Sequence, residues 1–365
     1  MNWKKLQNGS DIRGVALDGI EGEYVNLTQE VIETIARSFV RWLRNTLVNE
    51  TPIIAIGTDC RLSGKSIKGY FVKGAVEAGA NVVDCGLAST PAMFMTTITE
   101  QVKASASVMV TASHLPYNRN GLKFFTSKGG LDSKDIASIL AIAENGNYTY
   151  NVAEGCYTTF DFMTVYSRHI ADYICKGVNA YDYSHPLKGM HIIVDAGNGN
   201  GGFFEKILSS LGANTEGSQF LEPDGHFPNH IPNPENPEAM ASVCKAVEDC
   251  NADLGVIFDT DVDRSAIIGR NGQPINRNSL IALISTVILE EHPGSTIVTD
   301  SVTSDGLAEF ISQKGGKHHR FRRGYKNVIN EGIRLNGMGE ECWLAIETSG
   351  HAALRENHFL DDGAY

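Results

Sequence analysis

Three carboxylates alternate in the stretch DTDVDR, at Asp259, Asp261 and Asp263, directly after the apolar run LGVIF. In extended backbone, alternate side chains point to one side. Three carboxylates gathered in this way repel one another unless a cation sits between them. An all-oxygen ligand set suits Mg2+ or Ca2+. An EF-hand is excluded, because Arg264 stands where that loop needs Gly and Arg270 where it needs Glu. The expected ion is Mg2+, with Arg264 close by for an anionic substrate. A second candidate lies in VMVTASHLPYNRNGLKFF, residues Val108–Phe125. Ser113 follows an apolar strand, with His114 beside it and Arg119 and Lys123 nearby. Such a serine can act as a nucleophile or carry a phosphoryl group. It is not a hydrolase elbow, since G-x-S-x-G is absent. A third candidate is AIETSGHAAL, where Glu347, Ser349 and His351 surround Gly350. These groups can hydrogen-bond the hydroxyls of a sugar. Read alone, the Ser113 segment is equally a plain turn, and the last segment reads more readily as a polar turn than as a site.

Such residues need elements to hold them, and the sequence repeats one pattern three times. IIAIGTD (Ile53–Asp59), HIIVD (His191–Asp195) and STIVTD (Ser295–Asp300) are apolar runs closed by Asp. A loop, a helical stretch, a Gly and a further strand-like stretch follow each. Short apolar runs alternating with helices predict strands buried in α/β layers. Gly79, Gly212 and Gly315 fall where helix C-terminal caps are expected. The reading is three consecutive similar α/β domains, 1–155, 156–270 and 271–365. The second opens on a helix expected from Asp161 to Ile174 and includes a strand around Ser218–Leu221. It also contains a loop from Pro223 to Glu238, whose five prolines exclude regular helix or central strand. GRNGQPINRN, Gly269–Asn278, separates the second domain from the third.

One segment argues for different chemistry. Gly197, Gly199 and Gly202 spell G-x-G-x-x-G between the HIIVD strand and a helix, with Glu216 and Glu222 near the offset of a ribose contact. An NAD-dependent dehydrogenase is therefore the alternative. It leaves the acidic triplet and the serine loop unexplained. The other two repeats carry different loops at this point, so the glycines are read as a tight turn.

Composition sets the outer limits. The chain has 365 residues, 42% hydrophobic and 20% charged, enough to bury a core. Thirty-one basic against 43 acidic residues give a net charge of −12, which excludes broad electrostatic binding to nucleic acid or an anionic membrane. The longest apolar stretch, Leu280–Leu289, is too short to span a bilayer. The N-terminus lacks the apolar core of a secretory signal. Seven scattered cysteines without a C-x-x-C fit a reduced, cytoplasmic protein.

Taken together and in order, the segments resemble the α-D-phosphohexomutase family, which includes phosphoglucomutases and phosphomannomutases. TASHLP resembles the family's phosphoserine loop TASHNP, DTDVDR its metal loop DGDGDR, and IETSGH its sugar loop GEESGH. SDIRG (Ser10–Gly14), GTDCRLSG (Gly57–Gly64), VDAGNGNG and RRGYKNV (Arg322–Val328) match further signatures. Thr260, Val262, Leu115 and Ile346 depart from the family pattern.

The resemblance implies mixed sheets sandwiched by helices. It also implies an isomerase that moves a phosphoryl group between O1 and O6 of mannose or glucose phosphate, through a hexose 1,6-bisphosphate. Ser113 would carry the phosphoryl group and add an oxygen ligand to Mg2+ on Asp259, Asp261 and Asp263. His114, Lys123, Arg13 and Arg264 would act on the transferring group. Lys326, Glu347, Ser349 and His351 would hold the sugar. The resemblance further implies a monomer or weak dimer. The family has a fourth domain that grips the other phosphate, and this sequence stops at DDGAY as the third is ending. A chain without that domain is expected to fold and bind metal but turn over slowly, or to be an inactive sugar-phosphate-binding fragment.

Overall fold

A computed structural model describes residues 2–47, 51–146, 148, 153–275 and 277–365. Asn276, in the separator between the second and third domains, lies outside them. Contacts divide the chain into two units, Met1–Arg168 with Pro223–Pro228, and His169–Glu222 with Asn229–Tyr365.

The first unit is built on β1 (Gln7–Asn8), β2 (Asp11–Val15), β3 (Ile53–Thr58), β4 (Asn81–Leu87), β5 (Ala106–Val110), β6 (Arg119–Thr126), β7 (Gly129–Gly130) and β8 (Tyr157–Thr159). They form one sheet in the order β1-β2-β6-β5-β3-β4-β8, with β7 paired to β6. Strands β5, β3, β4 and β8 run parallel, whereas β6 pairs antiparallel with β5 and with β2. The sheet is therefore mixed. Its helices are α1 (Gln29–Leu47), α2 (Gly64–Glu77), α3 (Thr90–Met95) and α4 (Ser133–Asn145). Along α1, Ile32, Ile35, Ala36, Phe39, Val40 and Leu43 recur at helical spacing and are fully buried. Phe39 meets Phe124 of β6 at 4.6 Å and Phe71 of α2 at 6.3 Å between ring centres. Gly74 lets α1 and α2 touch, since a Cβ there would meet the Glu33 carbonyl oxygen at 2.5 Å.

The division between units falls within α5 (Phe162–Val178), at Arg168 and His169. The second unit carries two sheets. One has β9 (Ile192–Asp195), β10 (Leu254–Phe258), β11 (Ser265–Gly269) and β12 (Pro274–Ile275), in the order β12-β11-β10-β9, with α6 (Gly202–Ser210) and α7 (Pro237–Cys250). The other has β13 (Thr296–Thr299), β14 (Lys317–Arg320), β15 (Cys342–Ile346), β16 (Ala352–Leu354) and β17 (Leu360–Asp361), in the order β14-β13-β15-β16-β17. Its helices are α8 (Asn278–Glu291), α9 (Asp305–Gln313) and α10 (Tyr325–Gly337). The architecture is three mixed sheets, each with its own helices.

The caps fall where the sequence puts them. Gly79, Gly212 and Gly315 have φ of +82°, +93° and +81° and close α2, α6 and α9. The strand expected at Ser218–Leu221 does not form. Only an isolated bridge from Gln219 to Asp195 remains, because Gly217 and Phe220 turn the backbone to φ +88° and +53°. The proline-rich stretch is irregular up to Asn236, which caps α7; Pro237 opens that helix, where its missing N–H costs nothing. Among the described residues no helix is long and apolar enough to cross a membrane.

Candidate active site

The aspartate that ends each repeated strand does the same local work three times. Asp59, Asp195 and Asp300 each accept the backbone N–H two residues on, from Arg61 at 3.0 Å, Gly197 at 2.8 Å and Val302 at 3.2 Å. Each is an Asx turn that bends the chain out of its strand. Each aspartate also anchors a distant loop. Asp59 accepts from Thr111 Oγ1 at 2.6 Å, Asp195 from His230 Nε2 at 3.0 Å, and Asp300 from Thr348 Oγ1 at 2.7 Å. Thr111 lies two residues before Ser113, and Thr348 lies between Glu347 and Ser349.

In the first unit, Ser113 stands just beyond β5, buried, with φ +53°. Its N–H donates to Thr111 Oγ1 at 2.9 Å, and its Oγ lies 3.3 Å from His114 Nδ1. Lys123 is buried on β6, opposite Met109 of β5. Arg13 on β2 sits opposite Gly121 of β6 and donates to Asp11 at 2.7 Å. Gly121 has no room for a side chain, since a Cβ would meet the carbonyl oxygens of Ile12 at 2.4 Å and Thr111 at 3.0 Å. The loop after Ser113 is tied from outside by Glu23, which accepts from Asn118 Nδ2 at 2.8 Å and also from Arg119. Asn120 donates to Ser63 Oγ at 2.8 Å.

In the second unit, the acidic triplet is not extended, which corrects the sequence expectation. Residues 259–264 form the turn of the β10–β11 hairpin, with Phe258 paired to Ser265. Val262 at φ +65° turns the chain back, its N–H donating to the Asp259 carbonyl at 3.3 Å. That turn brings one carboxylate oxygen each of Asp259, Asp261 and Asp263 within 4.8 Å of one another, all three residues buried. Hard oxygens at this spacing fit a small divalent cation. Arg264 Nη2 donates to Asp259 at 3.0 Å, and its Nε lies 3.8 Å from Asp263. Burial works against its charge, but Asp259, Asp263 and Asp261 hold the guanidinium firmly protonated. Arg264 Nη1 also donates to Asn233 at 3.3 Å.

The glycines that spell G-x-G-x-x-G serve this turn. A Cβ on Gly199 would meet Thr260 Cα at 2.8 Å, and Asn200 N–H donates to the Thr260 carbonyl at 2.9 Å. A Cβ on Gly202 would meet the Leu221 carbonyl oxygen at 2.2 Å. Close packing on protein backbone accounts for these glycines, and the dehydrogenase alternative is not favoured.

Residues 347–351 join β15 to β16, whose last pair is Ile346 with Ala352. Ile346, where the family pattern has Gly, is simply the buried end of β15. Buried Glu347 accepts from the Gly324 N–H at 2.6 Å and from Ser349 Oγ at 3.2 Å. Burial pushes its carboxyl above the usual range, more than the Gly324 N–H and His351 pull it down. His351 Nδ1 meets Asp361 at 2.6 Å, and the Tyr325 ring stacks on it at 4.7 Å. Lys326 follows Tyr325 in the first turn of α10. Burial lowers the affinity of His351 for a proton, but Asp361, followed by Asp263, outweighs it and holds the pKa above its ordinary value. Gly350 packs on the Ser265 carbonyl, where a Cβ would come to 2.8 Å. The acidic turn and the 347–351 loop thus meet: Asp263, His351 and Asp361 present ligand atoms within 4.8 Å of one another. Asp361, Asp300, Asp59 and Arg61 carry no assigned role in the sequence reading.

A repeated α/β/α chain whose strand-end aspartates anchor a serine turn and the Glu347–His351 loop, with an acidic hairpin beside that loop, is a recognisable class. Profiles of phosphoglucomutase/phosphomannomutase alpha/beta/alpha domains I, II and III match residues 4–149, 149–272 and 276–365. The chain belongs to the phosphoglucomutase/phosphomannomutase family. It is 31% identical over 314 residues to a phosphoglucomutase of Neisseria gonorrhoeae, covering 86% of this chain and 64% of that protein. It is 30% identical over 357 residues to a phosphomannomutase/phosphoglucomutase of Pseudomonas aeruginosa PAO1, covering 97% of this chain and 71% of that one. A phosphoglucomutase/phosphomannomutase family protein of Burkholderia thailandensis superposes with TM-score 0.81 at 26% identity, covering 98% of this chain and 74% of that one.

Proposed function

We propose that this chain is an isomerase that transfers a phosphoryl group between O1 and O6 of mannose or glucose phosphate, with Ser113 as the carrier. The observation that carries the reading is the turn at Ser113, buried at φ +53° and held through Thr111 by Asp59, in a chain of this family. In the first half-reaction the P–Oγ bond of phosphorylated Ser113 breaks and a bond to the free sugar hydroxyl forms. That hydroxyl's proton passes to a base, His114 or Lys123, and Ser113 is left as the alcohol once a proton returns to Oγ. The product is a hexose 1,6-bisphosphate. In the second half-reaction its other phosphoryl group returns to Ser113, releasing the isomeric monophosphate. Arg13 and Lys123 supply positive charge for the transferring group, and Arg264 does so from the acidic turn.

Asp259, Asp261 and Asp263 are the residues we assign to Mg2+, because three buried carboxylate oxygens within 4.8 Å suit a small hard cation. Bound there, Mg2+ supplies a Lewis acid that offsets phosphoryl charge. Glu347 and Ser349 hold sugar hydroxyls, and Lys326 and His351 line the same loop. The three domains we assign are 1–155, 156–270 and 271–365. The test is a coupled assay of glucose 1-phosphate and mannose 1-phosphate, with Mg2+ and a trace of the 1,6-bisphosphate. The expected result is conversion to the 6-phosphate that disappears in Ser113→Ala. Conversion that survives this substitution contradicts the assignment, and binding without conversion favours a binding role.

A further inference from the structure

We infer that Arg61 is a positioning residue that holds the Ser113 loop in its reactive shape from beneath. The inference rests on the reading of Ser113 as the phosphoryl carrier. The Arg61 side chain is fully enclosed. Its Nη2 donates to the carbonyls of Ser113 and Leu115, both at 2.5 Å. Its Nη1 donates to the carbonyls of Pro116 at 2.7 Å and Arg119 at 3.0 Å. Its Nε lies 3.3 Å from Asp59, which balances the charge and reaches Thr111 with the same carboxylate oxygen. The Phe227 ring lies over the guanidinium at 5.4 Å, and Gly225 packs against the Cys60–Leu62 backbone. The same fork therefore grips four carbonyls across seven residues of loop.

The physical need is plain. A non-glycine residue at φ +53° is strained and stays there only where its surroundings over-determine it. The loop's own backbone supplies few ties, Leu115 N–H to the Ala112 carbonyl at 3.2 Å and Arg119 N–H to the Pro116 carbonyl at 3.0 Å, and Pro116 has no N–H to add. A planar guanidinium offers five donors in fixed directions, whereas a lysine offers three from one point. Arg61 is enclosed, with Nη1 and Nη2 committed to loop carbonyls and Nε facing Asp59. It therefore acts by setting where Ser113 Oγ stands. Misplacement by about 1 Å can cost roughly a hundredfold in a positioned reaction.

The test is rapid-quench phosphorylation of the dephosphorylated chain by glucose 1,6-bisphosphate with Mg2+, read by intact mass. Wild type is compared with Ser113→Ala, Arg61→Lys, Arg61→Ala and Phe227→Ala. The expected result for Arg61→Lys is a maximal rate down at least tenfold with unchanged half-saturation by the bisphosphate. Dilute guanidinium ion should restore part of the rate in Arg61→Ala, which a merely structural loss would not allow. Phe227→Ala should fall less than either. Wild-type rates in a folded Arg61→Lys overturn the inference while leaving Ser113 as carrier. If wild type takes up no phosphoryl group, the carrier reading fails, and amide hydrogen exchange over residues 111–121 then decides the inference. Exchange there should rise at least tenfold in Arg61→Lys, or in Phe227→Ala if Arg61→Lys does not fold; unchanged exchange overturns it.

Discussion

Asp261→Asn should stabilise the metal-free protein and blunt its response to Mg2+. Oxygens of Asp259, Asp261 and Asp263 lie within 4.8 Å of one another. At that distance and an effective dielectric of about 20, each pair repels by roughly 3.5 kcal/mol. Asp261 belongs to two such pairs, so the gross relief is about 7 kcal/mol. Most of it is offset, because the substitution also gives up the attraction of Asp261 to buried Arg264 and replaces a carboxylate with an amide that fits less well. The net gain should be on the order of 1–3 kcal/mol. Each kcal/mol shifts the melting temperature of a unit of 150–250 residues by about 2–4 °C. The assay is thermal unfolding in chelator, followed by a Mg2+ titration. Wild type should gain about 2.7 kcal/mol at a hundred times Kd, and Asp261→Asn less than half of that. A variant that melts below wild type in chelator and gains equally from Mg2+ would refute the reasoning.

Three further perturbations probe the other supports. Gly199→Ala places a Cβ 2.8 Å from Thr260 Cα, so it should cost about 1–3 kcal/mol and weaken the Mg2+ response without touching a carboxylate; an intact Mg2+ response would separate the glycine turn from the acidic one. Both ring nitrogens of His230 face acceptors, Nε2 the Asp195 carboxylate at 3.0 Å and Nδ1 the Ile231 carbonyl at 3.0 Å. Burial opposes its charge, but the Asp195 hydrogen bond and charge lift its pKa above the ordinary 6.5. The stability this contributes is fully present below pH 6.5 and is lost as pH rises through the folded value. Urea unfolding from pH 6 to 9 should therefore show a decline that His230→Gln lacks, and parallel profiles would refute it. Glu347→Gln keeps the acceptor for Gly324 but loses the charge, so half-saturation by a hexose phosphate should rise tenfold or more, about 1.5–3 kcal/mol. Unchanged half-saturation would remove Glu347 from the sugar site.

How much of this was legible in the chain depended on whether the signal was local. The apolar runs closed by Asp59, Asp195 and Asp300 announced strands, because a buried strand and its Asx turn are both written in consecutive residues. The helix caps at Gly79, Gly212 and Gly315 were legible for the same reason. The acidic triplet was found by its spacing, but the geometry behind it was not. Val262 takes a left-handed φ that its branched side chain gives no reason to expect; contacts from elsewhere, such as Gly363 N–H on its carbonyl at 3.1 Å, help to hold it there. The missing strand at Ser218–Leu221 failed on Phe220, another non-glycine residue at positive φ. Arg61 was invisible as a support, because the carbonyls it binds lie 52 to 58 residues away. The fingerprint glycines illustrate the opposite risk: a local pattern was present, and only Thr260 against Gly199 shows that packing explains it.

The central claim is that Ser113 carries the phosphoryl group, and peptide mapping tests it most directly. The chain is incubated with Mg2+ and glucose 1,6-bisphosphate, digested, and the modified residue located by tandem mass spectrometry. The account predicts a single phosphoryl group on Ser113, removed again by glucose 1-phosphate or mannose 1-phosphate and absent in Ser113→Ala. A phosphoryl group reproducibly mapped to another residue, with Ser113 unmodified in a folded, Mg2+-binding protein, would contradict it.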